Sequence, residues 1–388
     1  MLKNRHIPYL TWLVVSMMML MLTACSTSDE DNEPGGDVGQ QKKPVTLAVY
    51  VYAPEPAAAQ KNAVRRRANV GDVDVSNAAE GDIRSLQLWI YESETGNFVG
   101  YLDTEEVASL NNGEGALYQI PVSDDFAASK PDVDVFVQAN VKEENCGVGT
   151  LDENITRANL MAGAKIEGHF GLDVLQTSVP EQGLPMAGKL TTQPVVGDAP
   201  ALRVGSMSAV STVQLTRAVS KLRFVFAKTT GQPAVSITSI QIDEGMIPEV
   251  EYLFKKPESV TITYNTAAGE LKLSDINDIA ATADPTDYIY FNQDAQAYEN
   301  LINGAGLTVN GPIYLRESDK RLSGSISYTI DGVAKDPVTF QMQQAGDFSR
   351  NHTWIVYAYY AGSGKLQVQT IYVKDWENRT ISHELYNW

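Results

Sequence analysis

Cys25 is the residue whose position carries the most chemistry. It follows Leu22-Thr23-Ala24, at the end of a mostly apolar run over 7–23 that is preceded by Lys3 and Arg5. A basic start, an apolar middle and a small-residue cleavage site make a secretory signal. A thiol directly after the cut is the group that accepts diacylglycerol. The apolar run falls short of the roughly 20 residues that a spanning helix requires, so residues 1–24 read as a signal peptide and Cys25 as a lipidation site. A second candidate is Arg65-Arg66-Arg67, a scissile site for an Arg-specific or trypsin-like protease. The bland alternative is a basic triplet that solvates a loop.

Other chemistry is sparse. Three histidines follow the signal, His169, His352 and His383, and none stands in a metal-binding or nucleophile-activating motif. No catalytic, cofactor or metal site is therefore expected, and an enzyme has no positive feature. His352 suits packing at a strand edge or in a core. Ala361-Gly362-Ser363-Gly364-Lys365 lacks the spacing of a phosphate loop and suits a hairpin turn. The pairs Asp72/Asp74 and Asp132/Asp134 each put two acids on one strand face without the spacing of a calcium loop, and solvated faces account for them. Besides Cys25 the chain has one cysteine, Cys146, so no intrachain disulfide framework exists.

The 388 residues carry 30 Lys and Arg against 48 Asp and Glu, a net charge of −18. Removing the signal takes away Lys3 and Arg5 and no acid, which leaves −20. Such a chain is a poor ligand for nucleic acid. Residues 25–42 are polar, acidic and Gly-containing, and read as a flexible tether.

The elements that must position these residues are strands. Val45, Leu47, Val49 and Val51 alternate with Thr46, Ala48, Tyr50 and Tyr52, and the same period of two recurs at 86–90, 133–137, 326–330, 338–342 and 354–360. Turn chemistry at 95–97, 111–113 and 331–332 separates the runs. Short helices are expected near 151–163 and 293–303. The fold class is all-β, a pair of antiparallel β-sandwiches, with a first domain over 43–213 and a second over 214–388.

Residues 54–81 separate the first strand, 43–53, from the second. A connection this long without structure of its own is usually functional or disordered, and it holds the arginine triplet. A cut there would make the first strand detachable. Burying Val45, Leu47, Val49 and Val51 is worth roughly 6–12 kcal/mol gross, comparable with the net stability of about 5–15 kcal/mol of a whole domain. A groove so opened would recruit a strand from another molecule.

With these features on one chain, the sequence resembles the Bacteroidales fimbrillins, subunits of type V pili. The resemblance rests on the lipidation site at Cys25, the first strand with its arginine-bearing loop, and a series of short runs. These are Asp82-Ile83-Arg84-Ser85-Leu86 leading into Gln87-Leu88-Trp89-Ile90-Tyr91, then Leu184-Pro185-Met186-Ala187-Gly188 and Arg217-Ala218-Val219-Ser220-Lys221-Leu222. Ile313-Tyr314-Leu315-Arg316-Glu317, Arg350-Asn351-His352-Thr353-Trp354 and Val373-Lys374-Asp375-Trp376 complete it. The acidic run after Cys25 likewise resembles the surface-export signal of Bacteroidetes lipoproteins.

The resemblance implies two transthyretin-like sandwiches and a lipoprotein precursor in the outer membrane. It also implies maturation by an extracellular Arg-specific protease among Arg65, Arg66 and Arg67, and polymerisation by strand exchange into a cell-surface fimbria. Implied partners are other pilus subunits and a host or bacterial surface ligand. The tail 377–388, with Ile381, Leu385 and Trp388 as apolar anchors, is the implied donor. Anchor subunits keep the first strand, so the triplet implies a stalk or tip subunit, and the tail favours the stalk. The competing readings are an uncleaved anchor and a monomeric surface lipoprotein that binds glycan through Trp89, Tyr91, Trp354, Tyr357 and Tyr359.

Overall fold

The computed structural model describes residues 45–52, 78–111, 115–141, 151–163, 165–166, 170–194, 196–198, 211–254, 261–271, 276–288 and 307–373. Strands come in the order β1 (Val45–Tyr52), β2 (Leu86–Glu92), β3 (Phe98–Thr104), β4 (Ala116–Pro121), β5 (Val133–Ala139) and β6 (Lys165–Ile166). β7 (Met186–Thr192), β8 (Val196–Asp198), β9 (Ser211–Gln214) and β10 (Thr216–Arg217) follow. Next are β11 (Val219–Thr229), β12 (Val235–Ile242), β13 (Glu251–Tyr252), β14 (Gly269–Glu270), β15 (Ala281–Thr282) and β16 (Thr308–Arg316). The series ends with β17 (Ser323–Ile330), β18 (Val333–Ala334), β19 (Val338–Gln341), β20 (Thr353–Tyr360) and β21 (Gln367–Val373). The period-two runs of the sequence thus become strands. Among the described residues no helix is long and apolar enough to cross a membrane.

These strands build two sandwiches. In the first, sheet A has the order β4-β1-β8, with β9 also on β1, and sheet B the order β10-β7-β5-β2-β3. Leu47, Val49 and Val51 of β1 share a core with Leu86, Leu88 and Ile90 of β2 and Val133, Val135 and Val137 of β5. In the second, sheet C has the order β15-β11-β20-β21, with β16 also on β11, and sheet D the order β14-β12-β17-β18, with β19 on β17. Its core takes Leu222, Phe224 and Phe226 from β11 and Ile326, Tyr328 and Ile330 from β17.

Most pairings are antiparallel. Among the described residues three are parallel: β1 with β9, β11 with β15, and β11 with β20 over eight residue pairs. Parallel neighbours need a long crossover, and the chain between β11 and β20 supplies the whole of sheet D.

Sheet B is apolar on both faces. Behind the side that carries Leu88, Trp89, Tyr91 and Phe136 join Leu151, Ile155, Leu160, Val219, Phe254 and Tyr314 in a third apolar cluster. A short helix, Arg157–Gly163, lies in this layer, within the segment expected to be helical; the other expected helix, 293–303, lies outside the described residues. Trp89 Nε1 donates to the Asp152 carbonyl at 2.9 Å, and Tyr91 Oη to the Ile155 carbonyl at 2.5 Å. The strand pair β6–β13 and a bridge from Gln176 to Tyr314 tie the same layer to the second sandwich.

The layer corrects one expectation. Asp134 is not on a solvated face: it is 1% exposed, ion-paired with Arg157, and accepts from Thr191 Oγ1 at 2.5 Å. An acid on a strand buried from both sides must be paired, and alternation alone does not reveal the second covering layer.

Gly188 in β7 fixes how the chain passes from β9 in sheet A to β10 in sheet B. A Cβ at this position would stand 2.3 Å from the Gln214 carbonyl and 2.7 Å from Val213 Cγ1. Gly188→Ala is therefore expected to cost about 1–3 kcal/mol by overpacking, read as a lowered urea midpoint.

Candidate functional site

β1 is the element on which the candidate site turns. Leu47, Val49 and Val51 are fully buried, while Val45 is half-buried. Ala48, which points the other way, is also fully buried, and Thr46 nearly so. Burial of the three large side chains is worth about 5–9 kcal/mol gross.

Both edges of β1 are paired. One runs antiparallel to β4 from Thr46–Pro121 to Val51–Ala116. The other is shared: β8 pairs antiparallel with Val45, Thr46 and Leu47, and β9 pairs parallel with Val49 to Tyr52. The Val122 N–H donates to the Val45 carbonyl at 3.0 Å and the Leu215 N–H to the Tyr52 carbonyl at 2.9 Å, closing the two ends. Among the described pairings of sheet A, each includes β1. Without this strand, β4 on one side and β8 and β9 on the other face an open slot floored by the first core.

Cys25, the arginines Arg65, Arg66 and Arg67, and the tail with Ile381, Leu385 and Trp388 lie outside the described residues, as does Cys146. The structure resumes at Ala78–Gly81, a single 3-10 turn.

In this turn lies a charged cluster that sequence reasoning missed. Glu80 is fully buried, and Lys221 Nζ donates to its two oxygens at 2.9 and 2.8 Å. Tyr314 Oη donates to the same carboxylate at 2.6 Å. Arg217 Nε donates to the Glu80 backbone carbonyl at 2.9 Å, and its Nη1 to Asn351 Oδ1 at 3.1 Å. Burial alone would push the Glu80 carboxyl up, but Lys221, Arg217 and these hydrogen bonds hold it below its usual range. Burial, with Arg217 and Arg223 beside it, brings Lys221 down to about 8 despite Glu80. The two directions agree physically, because Lys221 and Arg217 share one anion and Arg223 adds a further positive charge beside Lys221. Arg217 ends β10 and Lys221 lies in β11, and two cations in an otherwise strand-forming run were the signal available in the sequence.

A second cluster lies beside the same second sandwich, between β13 and the ends of β16 and β20. Arg350 Nη2 reaches Glu251 at 2.6 Å and Glu317 at 2.5 Å, and donates to the Tyr252 carbonyl at 2.6 Å. Burial and the neighbouring Glu317 push Glu251 well up, and Arg350 only partly offsets this. Glu317 keeps the charge: burial opposes it, but Arg350 holds its carboxyl below the usual range. The aromatic residues that a glycan would need are enclosed. Trp89, Tyr91, Trp354 and Tyr357 are each 5% exposed or less, and Tyr359 is half-buried. His352 is half-buried, its Nδ1 2.7 Å from the Arg350 carbonyl. Among the described residues no group of His, Cys, Asp and Glu could hold a metal ion.

No protein-family model matches the chain, and no curated protein matches it. Among solved structures the fold is similar to that of a candidate cell adhesion protein from Parabacteroides distasonis. The two are 14% identical, 84% of this chain and 96% of the other are covered, and the TM-score is 0.50. The tip fimbrial protein Mfa3 from Porphyromonas gingivalis, C-terminally truncated, matches at 11% identity, 84% and 99% coverage and a TM-score of 0.45. A candidate adhesin from Bacteroides thetaiotaomicron matches at 12% identity, 88% and 99% coverage and a TM-score of 0.44. The first likeness establishes a shared all-β, two-sandwich fold.

Two outcomes follow from this geometry. Leu47→Ala is expected to cost the uncut chain about 2–5 kcal/mol and Val45→Ala less than about 1 kcal/mol, because only Leu47 is fully enclosed; urea unfolding separates them. Glu80 has a depressed folded pKa, so its contribution is present above the ordinary carboxylate value of 4.5 and is lost as pH falls below it. Glu80→Gln is expected to cost about 3–5 kcal/mol at neutral pH and to flatten the loss of stability on acidification, read as denaturation midpoints between neutral pH and pH 3.

Proposed function

We propose that the chain is a structural, non-catalytic subunit of a cell-surface fimbria. It is exported as an outer-membrane lipoprotein through Cys25, cut among Arg65, Arg66 and Arg67, and assembled when a strand of another subunit takes the place of β1. The observation that carries this reading is that the described pairings of sheet A all run through β1, a strand separated from the next described element by residues 53–77, which contain the arginine triplet. A cut in that segment converts an internal strand into a separate peptide, and the slot it leaves has two unpaired edges that a second strand satisfies.

The fold shared with a candidate cell adhesion protein supports a surface role, and fimbrial subunits and candidate adhesins recur among the other similar structures. In this reading the donor is the segment 377–388, the partners are further subunits and an extracellular Arg-specific protease, and the subunit belongs to the stalk. Enclosure of Trp89, Tyr91, Trp354 and Tyr357 leaves the glycan-binding alternative without four of its five platform side chains.

The test is the N-terminus of protein sheared from cells, by mass spectrometry. The expected result is a start within 66–68 and a ladder of species resistant to mild denaturation. Replacing all three arginines by alanine is expected to abolish the ladder and leave a chain that starts at lipidated Cys25. A wild-type chain that starts at Cys25 and stays monomeric would overturn the stalk and tip readings and leave an anchor or a binding lipoprotein.

A further inference from the structure

The chain on the two sides of the proposed cleavage segment is held in different ways. On the upstream side, β1 pairs with β4, β8 and β9, all strands of sheet A. On the downstream side, the turn at 78–81 is fastened to both sandwiches by polar contacts. Glu80 is held by Lys221 of β11 and Tyr314 of β16, and these three side chains are 1% exposed or less. Two residues on, the Asp82 carbonyl accepts from Asn140 Nδ2 at 2.8 Å, and Asn140 Nδ2 also donates to the Leu184 carbonyl at 2.9 Å. The Arg84 N–H donates to Asn140 Oδ1 at 2.8 Å. Room for this contact depends on residue 183 being glycine, since a Cβ there would stand 2.3 Å from Asn140 Nδ2. Ile83, between these anchors, is 1% exposed and belongs to the first core.

From this asymmetry we infer that Glu80 is a clamp: it pins the chain just downstream of the cleavage segment to the second sandwich, so that a cut releases β1 while the segment from 78 onward and the joint between the sandwiches stay in place. A polar anchor suits the task. Apolar contacts of β1 can be re-formed by any strand of similar shape, whereas a buried carboxylate that has lost its cationic and hydroxyl partners has no comparable alternative site. The inference rests on the proposed cleavage for its purpose, but the clamp itself can be measured in the uncut chain. Glu80 acts here as a positioning residue, through the turn that it holds.

Hydrogen–deuterium exchange on the full-length protein, before and after treatment with an Arg-specific protease, tests it. In the wild type, the cut is expected to speed exchange in β4 and β9, which lose β1, and to leave 78–86 and 217–223 as protected as before. In Glu80→Gln, 78–86 is expected to exchange at least about tenfold faster, the equivalent of one charge-assisted hydrogen bond, in both cut and uncut protein, with β1 in the uncut chain unchanged. Should that variant fail to fold, Tyr314→Phe removes one of the bonds without burying an unpaired charge, and it reads out the same peptides. Protection of 78–86 within about twofold of wild type in both variants would overturn the clamp. Unchanged exchange in β4 and β9 after a verified cut would instead overturn strand release, and 78–86 in the uncut variants would still report the clamp.

Discussion

The two rows of backbone hydrogen bonds flanking β1 are the constraint on which the first sandwich depends. A buried strand needs a partner for each N–H and C=O, and in sheet A those partners come from strands whose described pairings all run through β1. β4 lies on one side, β8 and β9 on the other. Removing β1 does not simply shorten a sheet at its edge; it divides the sheet into two parts and uncovers the apolar floor beneath Leu47, Val49 and Val51. Such a state has few stable outcomes. The strand returns, another strand replaces it, or the exposed edges associate with whatever strand is available.

The rest of the molecule is arranged so that this exchangeable element is not the only support. Sheet B buries both of its faces, one in the first core and one in the layer of Leu151, Ile155, Leu160 and Phe254. That layer is continuous with Val219 and Tyr314 of sheet C. Charged groups lie at the same joint: Glu80 with Lys221 and Arg217 fastens the turn at 78–81 to it, and Arg350 with Glu251 and Glu317 holds β13, the partner of β6, against the second sandwich. Buried ion pairs are weak contributors to net stability but costly to break. They therefore define the geometry of the joint more than they strengthen it.

Period-two alternation made the strands legible because one face of each meets a core: Leu86, Leu88 and Ile90, or Val133, Val135 and Val137, announce themselves. Alternation could not announce what lies behind the other face. Trp89, Tyr91 and Asp134 occupy positions where a half-solvated strand carries its exterior residues, and only the fold shows the second layer that encloses them. Parallel pairing of β11 with β20 was equally hidden, since it depends on the crossover through sheet D and not on either strand's own residues. Glu80 gave no local sign, being one acid among many at the end of a loop. Its partners did: Lys221 and Arg223 are cations two residues apart in a run of strand formers, and a charged face on a central strand requires an acidic counterpart.

The order in which sheet A can form bears on how replaceable β1 is. Its pairing with β4 is available early, but Val45 meets Asp198, and Val49 meets Ser211, far along the chain. Non-local pairings form late because closing long loops is entropically costly. Among the described pairings of the first sandwich, those of β1 with β8 and β9 close the longest loops, and β1 makes no pairing with a strand of sheet B. What the slot demands is read from β1 itself: apolar side chains at three alternating positions, and a small residue at the place of Ala48, which is fully buried on the opposite face. A large side chain at that one position is excluded by volume. Strands that would fit the groove by hydrophobic pattern alone are thereby divided into those that can seat fully and those that cannot.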